Sequence, residues 1–148
     1  MDIEIREMEF KDYPEVILLW NRELGLIINL EQFRSRIERM NKKNDYKTFV
    51  ALLDNEVVGF ITTVKTMAIE FETGYLKING LAVGKNYQNK GIGTKLLKFA
   101  EDYAFENQLS YFILNSGFQR TDAHNFYERK GFDKKSYCFT KKIHLLSN

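Results

Sequence analysis

The segment Leu81–Ala104, LAVGKNYQNKGIGTKLLKFAEDYA, joins an apolar strand end to an amphipathic helix through a polar loop that carries Gly91 and Gly93. Ile92, Leu96, Leu97, Ala100 and Ala104 recur at helical spacing, which predicts a helix opening near Gly91 with that face buried. The first N–H groups of such a helix have no internal acceptor and lie at the positive end of its dipole, so they suit a phosphate. Glycine at 91 and 93 lets a bulky diphosphate approach the backbone and permits a positive φ; Lys90 and Lys95 add mobile positive charge. Two familiar phosphate loops fail on residues. Neither Gly84 nor Gly91 opens a G-x-x-x-x-G-K-[ST] pattern, and the third glycine of a dinucleotide fingerprint would fall on Leu96.

Further along lies a second constellation, Ala123–Phe132, AHNFYERKGF, which follows an apolar strand at Tyr111–Leu114. Together with Gln88-Asn89-Lys90-Gly91-Ile92-Gly93 it resembles the GCN5-related N-acetyltransferase (GNAT) superfamily, in motif order and in spacing. The resemblance covers about Val57–Phe139; the first 45 residues match only as a strand followed by two helices.

The resemblance implies a site. Main-chain amides of Gln88, Asn89, Lys90, Gly91, Ile92, Gly93 and Thr94, helped by the Thr94 hydroxyl, would grip the pyrophosphate of acetyl-CoA. The pantetheine arm would lie where strands four and five splay apart, pairing with backbone at Leu81, Ala82 and Val83, with the segment of Phe126 beside it. The Val83 N–H would polarise the thioester carbonyl, and Tyr127 would give a proton to the departing sulfur. A phenol with an ordinary pKa of about 10 holds its proton at neutral pH and can serve as that acid. Asn115, at the end of the fifth strand, is a candidate for bonding pantetheine or substrate.

No general base stands out. The strand-four glutamate of many family members is replaced here by Asn79 and Gly80. Glu70 and Glu72 are the nearest acids in sequence, either relaying through water or simply solvated strand residues. Arg120, where the family often has asparagine, is a contact for CoA phosphate or a substrate carboxylate, or a local turn residue. His124 is read as facing solvent or the adenine side, His144 as remote from chemistry, Cys138 as a small buried hydrophobe, and Trp20 as core, although the resemblance implies that residues 20 to 34 lie where the family's substrate loop sits. Two histidines and one cysteine make a metal site improbable.

At 148 residues, with 44% hydrophobic and 28% charged residues and one proline, the chain reads as one N-acetyltransferase domain spanning 1–148. The single cysteine excludes an intramolecular disulfide, and the acidic, alternating opening MDIEIREMEF is unlike a secretory leader, so a cytoplasmic location is expected. No apolar run approaches membrane-span length, and no basic stripe interleaved with aromatics suggests nucleic acid. The net charge of +2 divides into about −4 over residues 1–75 and +6 over 76–148. That asymmetry suits a polyanionic cofactor on one side and a cationic partner on the other, and chance asymmetry is the alternative.

Element by element, the sequence predicts an opening strand with Ile3 and Ile5 and a helix N-capped by Asp12 that carries Val16, Leu19, Trp20 and Leu24. A second helix over 29–43, strands at Phe49–Leu53 and Val57–Val64 joined by Asp54-Asn55-Glu56, and a strand at Tyr75–Val83 follow. After the glycine helix come a strand at 110–114, a helix at 122–130 and a last strand at about 136–145. The expected fold is α/β: a mixed, mostly antiparallel sheet of six to seven strands with about four helices, in the order β-α-α-β-β-β-α-β-α-β. The expected function is transfer of an acetyl group from acetyl-CoA to a primary amine by direct attack in a ternary complex, a small cationic amine being favoured. A protein or peptide acetyltransferase and a non-catalytic acyl-CoA-binding module are the alternatives. A homodimer is possible.

Overall fold

The structure is a computed structural model that describes residues 1–144. The chain divides into two compact units, Met1–Leu114 and the part from Asn115 onward.

In the first unit, five strands lie in the order β1-β2-β3-β4-β5: β1 (Glu4–Glu7), β2 (Tyr46–Leu53), β3 (Glu56–Thr66), β4 (Tyr75–Val83) and β5 (Tyr111–Leu114). All neighbours are antiparallel except β4 and β5, which run parallel. The β2–β3 hairpin turns on Asp54 and Asn55, whose φ of 50° and 65° are the left-handed pair that a tight two-residue hairpin requires.

Helices cover both faces of the sheet. On one face α1 (Tyr13–Glu23) and α2 (Leu30–Met40) bury Val16, Ile17, Leu19, Phe33 and Ile37 against Val50, Leu52, Phe60 and Ala82. The start of α2 is set by a reciprocal cap, in which Asn29 Oδ1 accepts from the Gln32 N–H at 2.8 Å and Gln32 Oε1 accepts from the Asn29 N–H at 3.1 Å. Asp12 takes a different role from the N-cap expected of it. Its backbone is already helical and its side chain makes no cap bond to α1. It accepts instead from Arg6 at 2.7 and 3.0 Å and from the Glu9 N–H at 2.8 Å, tying the start of α1 to β1.

On the other face α3 (Ile92–Glu106) buries Ile92, Leu96, Leu97, Ala100 and Ala104, the stripe read from the sequence. Full burial of side chains such as Ile92 and Leu96 is worth about 1.5–3 kcal/mol each. Phe49 packs on Phe99 and Tyr103 of α3, with ring centroids 4.9 and 5.3 Å apart.

A bulge in β4 positions the site. Thr62 pairs with Gly80 and Thr63 with Ile78, leaving Asn79 as the extra residue. An inserted residue reverses the alternation of faces. Leu76 and Ile78 thus share a face with their partners Lys65 and Thr63, whereas beyond the bulge Gly80 and Ala82 face α1 with Thr62 and Phe60. Pairing with β5 also ends here, at Ile78–Leu114, and residues 79–83 continue with no β5 partner among the described residues.

The second unit contains α4 (Thr121–Arg129), within one residue of the predicted helix. The expected last strand is not formed. Residues 133–144 have no regular structure, and 145–148 lie outside the described residues, so the sheet has five strands among the described residues rather than six or seven. Alternation of Tyr137 and Phe139 with polar residues mimics a strand, but a strand persists only when a neighbour receives its N–H and C=O groups. Tyr137, Phe139 and Ile143 are exposed. Cys138 is exposed as well, correcting its expected burial: the irregular segment that carries it has no sheet partner to bury it.

Among the described residues no helix is long and apolar enough to cross a membrane, and no group of His, Cys, Asp and Glu could hold a metal ion.

Candidate active site

The glycine loop brings Gln88, Asn89, Lys90, Gly91, Ile92, Gly93 and Thr94 together between β4 and α3. A single 3₁₀ turn at Lys85–Tyr87, closed by the Tyr87 N–H on the Gly84 carbonyl at 2.8 Å, carries the chain out of the strand. Asn89 (φ 62°) and Gly91 (φ 82°) then take the left-handed conformation, and Gly91 is the N-cap of α3. Successive peptides that alternate around left-handed residues turn their N–H groups toward one side, a shape that receives anions. The Lys95 N–H bonds the Gly91 carbonyl at 3.1 Å, so the intrahelical ladder begins there and the N–H groups of Ile92, Gly93 and Thr94 precede it.

A Cβ on Gly91 would meet nothing within 4 Å. Nothing therefore crowds the backbone at the N-cap of α3. Lys90 holds its ammonium 5.9 Å from the centre of the Tyr87 ring.

Leu81, Ala82 and Val83 occupy the end of β4 beyond the bulge, in the stretch that has left β5. Ala82 is buried in the α1 face, while Leu81 and Val83 are half-buried. Gln88 behaves differently from a pure phosphate ligand. Its side-chain amide donates to the Val83 carbonyl at 2.9 Å and to Glu23 Oε2 at 3.2 Å, linking the strand end to the last residue of α1.

Trp20 packs against the core, as expected, and is partly buried. Its ring lies 5.0 Å from that of Phe60, and its tip stands over Gly80, where a Cβ would come within 2.5 Å of Cη2 and 2.8 Å of Cζ2. The base candidates Glu70 and Glu72 are exposed in the loop that leads into β4, at the opposite end of that strand from Val83. Eight residues of strand place them roughly 25 Å away along it. The bond from Gln88 to Glu23 was not legible in the sequence. A carboxylate at the end of a helix far upstream carries no local signal, since only the packing of α1 on β4 brings it to the loop.

In the second unit Tyr127 and Phe126 sit on α4, with ring centroids 5.5 Å apart, and Tyr127 meets Phe132 edge-on at 5.7 Å. Burial pushes the Tyr127 phenol above its ordinary pKa, and the nearby Arg120 cation opposes that rise. Asn115 follows β5 directly in sequence and opens this unit. His124 Nε2 lies 2.8 Å from the Gly117 carbonyl, engaged in shaping the turn before α4. Thr94 lies half-buried in the first turn of α3.

Comparison with known proteins gives this geometry its setting. The model of the acetyltransferase (GNAT) family matches residues 4–132. An uncharacterized N-acetyltransferase, YhdJ of Bacillus subtilis, is 32% identical over 122 residues, covering 82% of this chain and 85% of its own. The aminoalkylphosphonate N-acetyltransferase of Salmonella typhimurium LT2 is 31% identical over 140 residues, 95% of this chain and 91% of its own. The crystal structure of an aminoglycoside acetyltransferase from an uncultured soil metagenomic sample, in complex with trehalose, superposes with a TM-score of 0.81 at 22% identity, covering 96% of this chain and 97% of that one. With the family's model matched across both motifs, the chain belongs to the GNAT family of N-acetyltransferases, enzymes that use acetyl-CoA.

Proposed function

We propose that this protein transfers the acetyl group of acetyl-CoA to a primary amine of a small, cationic molecule by direct attack in a ternary complex. The observation that carries the reading is the junction of β4 and α3. A strand end released from its neighbour by a bulge runs into a loop whose left-handed Asn89 and Gly91 open a helix terminus to an anion. This junction supports the reading that the amides from Gln88 to Thr94 would hold the pyrophosphate and the backbone of Leu81, Ala82 and Val83 the pantetheine.

Acetyl-CoA supplies the activated acyl group. In this chain the Val83 N–H would orient and polarise the carbonyl, and Tyr127 would hold the proton destined for the sulfur. The raised pKa of Tyr127 keeps that phenol protonated through neutral pH. Support for a small amine comes from the relative that acts on aminoalkylphosphonates and the structural neighbour that is an aminoglycoside acetyltransferase. We take the protein to work as a cytoplasmic enzyme.

Thiol release from acetyl-CoA over a panel of polyamines, aminoglycosides, aminoalkylphosphonates, amino acids and short peptides tests this. A selective small amine is the expected result; acetyl-CoA bound tightly with no turnover on any amine would make the protein an acyl-CoA-binding module. Tyr127→Phe should lower kcat by about 10²-fold, at the low end of general-acid effects, with acetyl-CoA affinity retained. A matching loss of affinity would make the tyrosine structural.

A further inference from the structure

We propose that His124 is a positioning residue for Tyr127: by holding the Gly117 carbonyl, its imidazole fixes the turn from which α4 starts, and so the place of the phenol almost one turn further on. The inference rests on the reading of Tyr127 as the acid that protonates the departing sulfur.

The start of α4 lacks the usual anchors. No residue of the helix is fully buried, and Arg120, its N-cap, makes no side-chain cap bond. A Ser, Thr, Asp or Asn at that position would ordinarily accept from the first free N–H groups. Three hydrogen bonds stand in place of the cap. The Gly117 carbonyl accepts from the Arg120 N–H at 3.1 Å and from His124 Nε2 at 2.8 Å, and the Arg120 carbonyl accepts from the His124 N–H at 3.1 Å. Gly117, Arg120 and His124 are thus tied pairwise into a closed triangle, in which the imidazole is the side-chain member. A carbonyl can only accept, so Nε2 carries the proton and is committed to this bond.

Tyr127 lies three residues beyond His124, on the adjoining part of the same helical surface. Its own fastening is at the far end of the helix. There its carbonyl accepts from the Lys130 and Phe132 N–H groups, both at 3.0 Å, and its ring meets that of Phe132 at 5.7 Å. The triangle is the matching fastening at the start. Its Arg120 corner also supplies the cation that acts on the Tyr127 phenol, opposing the rise that burial causes. Of the other charges on this helix, Glu128 is paired with Lys134 at 3.3 Å, and the Lys130 ammonium, at the C-cap, stands 5.9 Å from the centre of the Phe126 ring. The bond from His124 therefore bears on both the placement of the phenol and the charge beside it.

The test uses the full chain with acetyl-CoA and, as amine, whichever of spermidine, tobramycin and 2-aminoethylphosphonate releases thiol fastest. His124→Phe keeps the bulk of the ring and removes the bond. It should lower kcat at least about tenfold while KM for acetyl-CoA holds, since an ångström of misplacement costs about 10²-fold. His124→Gln, whose amide can donate to the same carbonyl, should recover most of that loss. In a Tyr127→Phe background His124→Phe should add less than about twofold, because residues acting through one step are not additive. A second readout needs no turnover: with tyrosine isotope-labelled at Cζ, the NMR signal assigned to Tyr127 by its loss in Tyr127→Phe is followed in the CoA-saturated chain. That signal should move in His124→Phe and return in His124→Gln. A signal that His124→Phe leaves unmoved, a loss of kcat that persists in full in the Tyr127→Phe background, or no recovery in His124→Gln overturns the positioning role alone. A Tyr127→Phe variant with undiminished kcat removes the acid reading and the inference with it, so the two failures are told apart. Circular dichroism of each variant checks that a loss of activity is not a loss of fold.

Discussion

The two sides of the β4 terminus are made from different materials. Toward α3 the strand end meets backbone: left-handed Asn89 and Gly91, the leading amides of a helix, and open space where a Cβ is missing. Toward α1 it meets side chains, the Trp20 ring over Gly80 and the Glu23 carboxylate bonded by Gln88. A backbone cradle reads only the shape and charge of a phosphate, so it can serve one shared cofactor throughout a family. A wall of side chains can change with each acceptor. On that division, changes on the α3 side should disable cofactor binding, and changes on the α1 side should alter the choice of amine.

The largest effect should come from Gly93→Asp, which sets a carboxylate and added bulk in the first turn of α3. Acetyl-CoA affinity measured by calorimetry should fall at least about 100-fold, equivalent to about 2.7 kcal/mol, with the thermal melt little changed. Retained affinity would break the comparison at its stronger end.

Gly80→Ala probes the other side. The new Cβ must displace the Trp20 ring from Phe60, an overpacking that should cost about 1–3 kcal/mol in denaturant unfolding. It should also shift Trp20 emission and raise KM for the amine while acetyl-CoA affinity is kept. If cofactor affinity fell in step, the two sides would act as one.

Asp12→Asn should have the smallest effect on function, because it loosens the start of α1 without touching either side. Burial opposes ionisation of Asp12, but the Arg6 and Glu9 hydrogen bonds outweigh it and hold the pKa below the usual value. A depressed folded-state pKa means the stabilisation is complete above the unfolded value of about 3.9 and disappears as pH falls through the folded value. Wild type should therefore exceed Asp12→Asn by about 1–3 kcal/mol at pH 7, with the gap closing below about pH 4. A constant gap from pH 7 to pH 2.5 would show that the Asp12 charge contributes nothing.

The same contrast explains what was legible beforehand. The α3 stripe, the β4 boundaries, the Asp54-Asn55 turn and the glycine loop before α3 follow from residues close together in the chain, because helix periodicity and left-handed turns are local properties. The last strand was misread for the complementary reason. Local alternation at Tyr137 and Phe139 creates strand propensity, but pairing depends on a distant partner. Cys138 was misplaced along with it.

The sequence by itself determined the family, the order of the elements through α4 and the glycine-bearing loop between β4 and α3, because each depends on spacing within one short segment. Only the tertiary structure decided that β4 bulges at Asn79, that Gly80 makes room for Trp20, and that Gln88 joins Glu23 to Val83. Those features bring together residues from opposite ends of the first unit. No local pattern encodes a contact between positions 23 and 88, which is formed only when α1 packs onto the sheet.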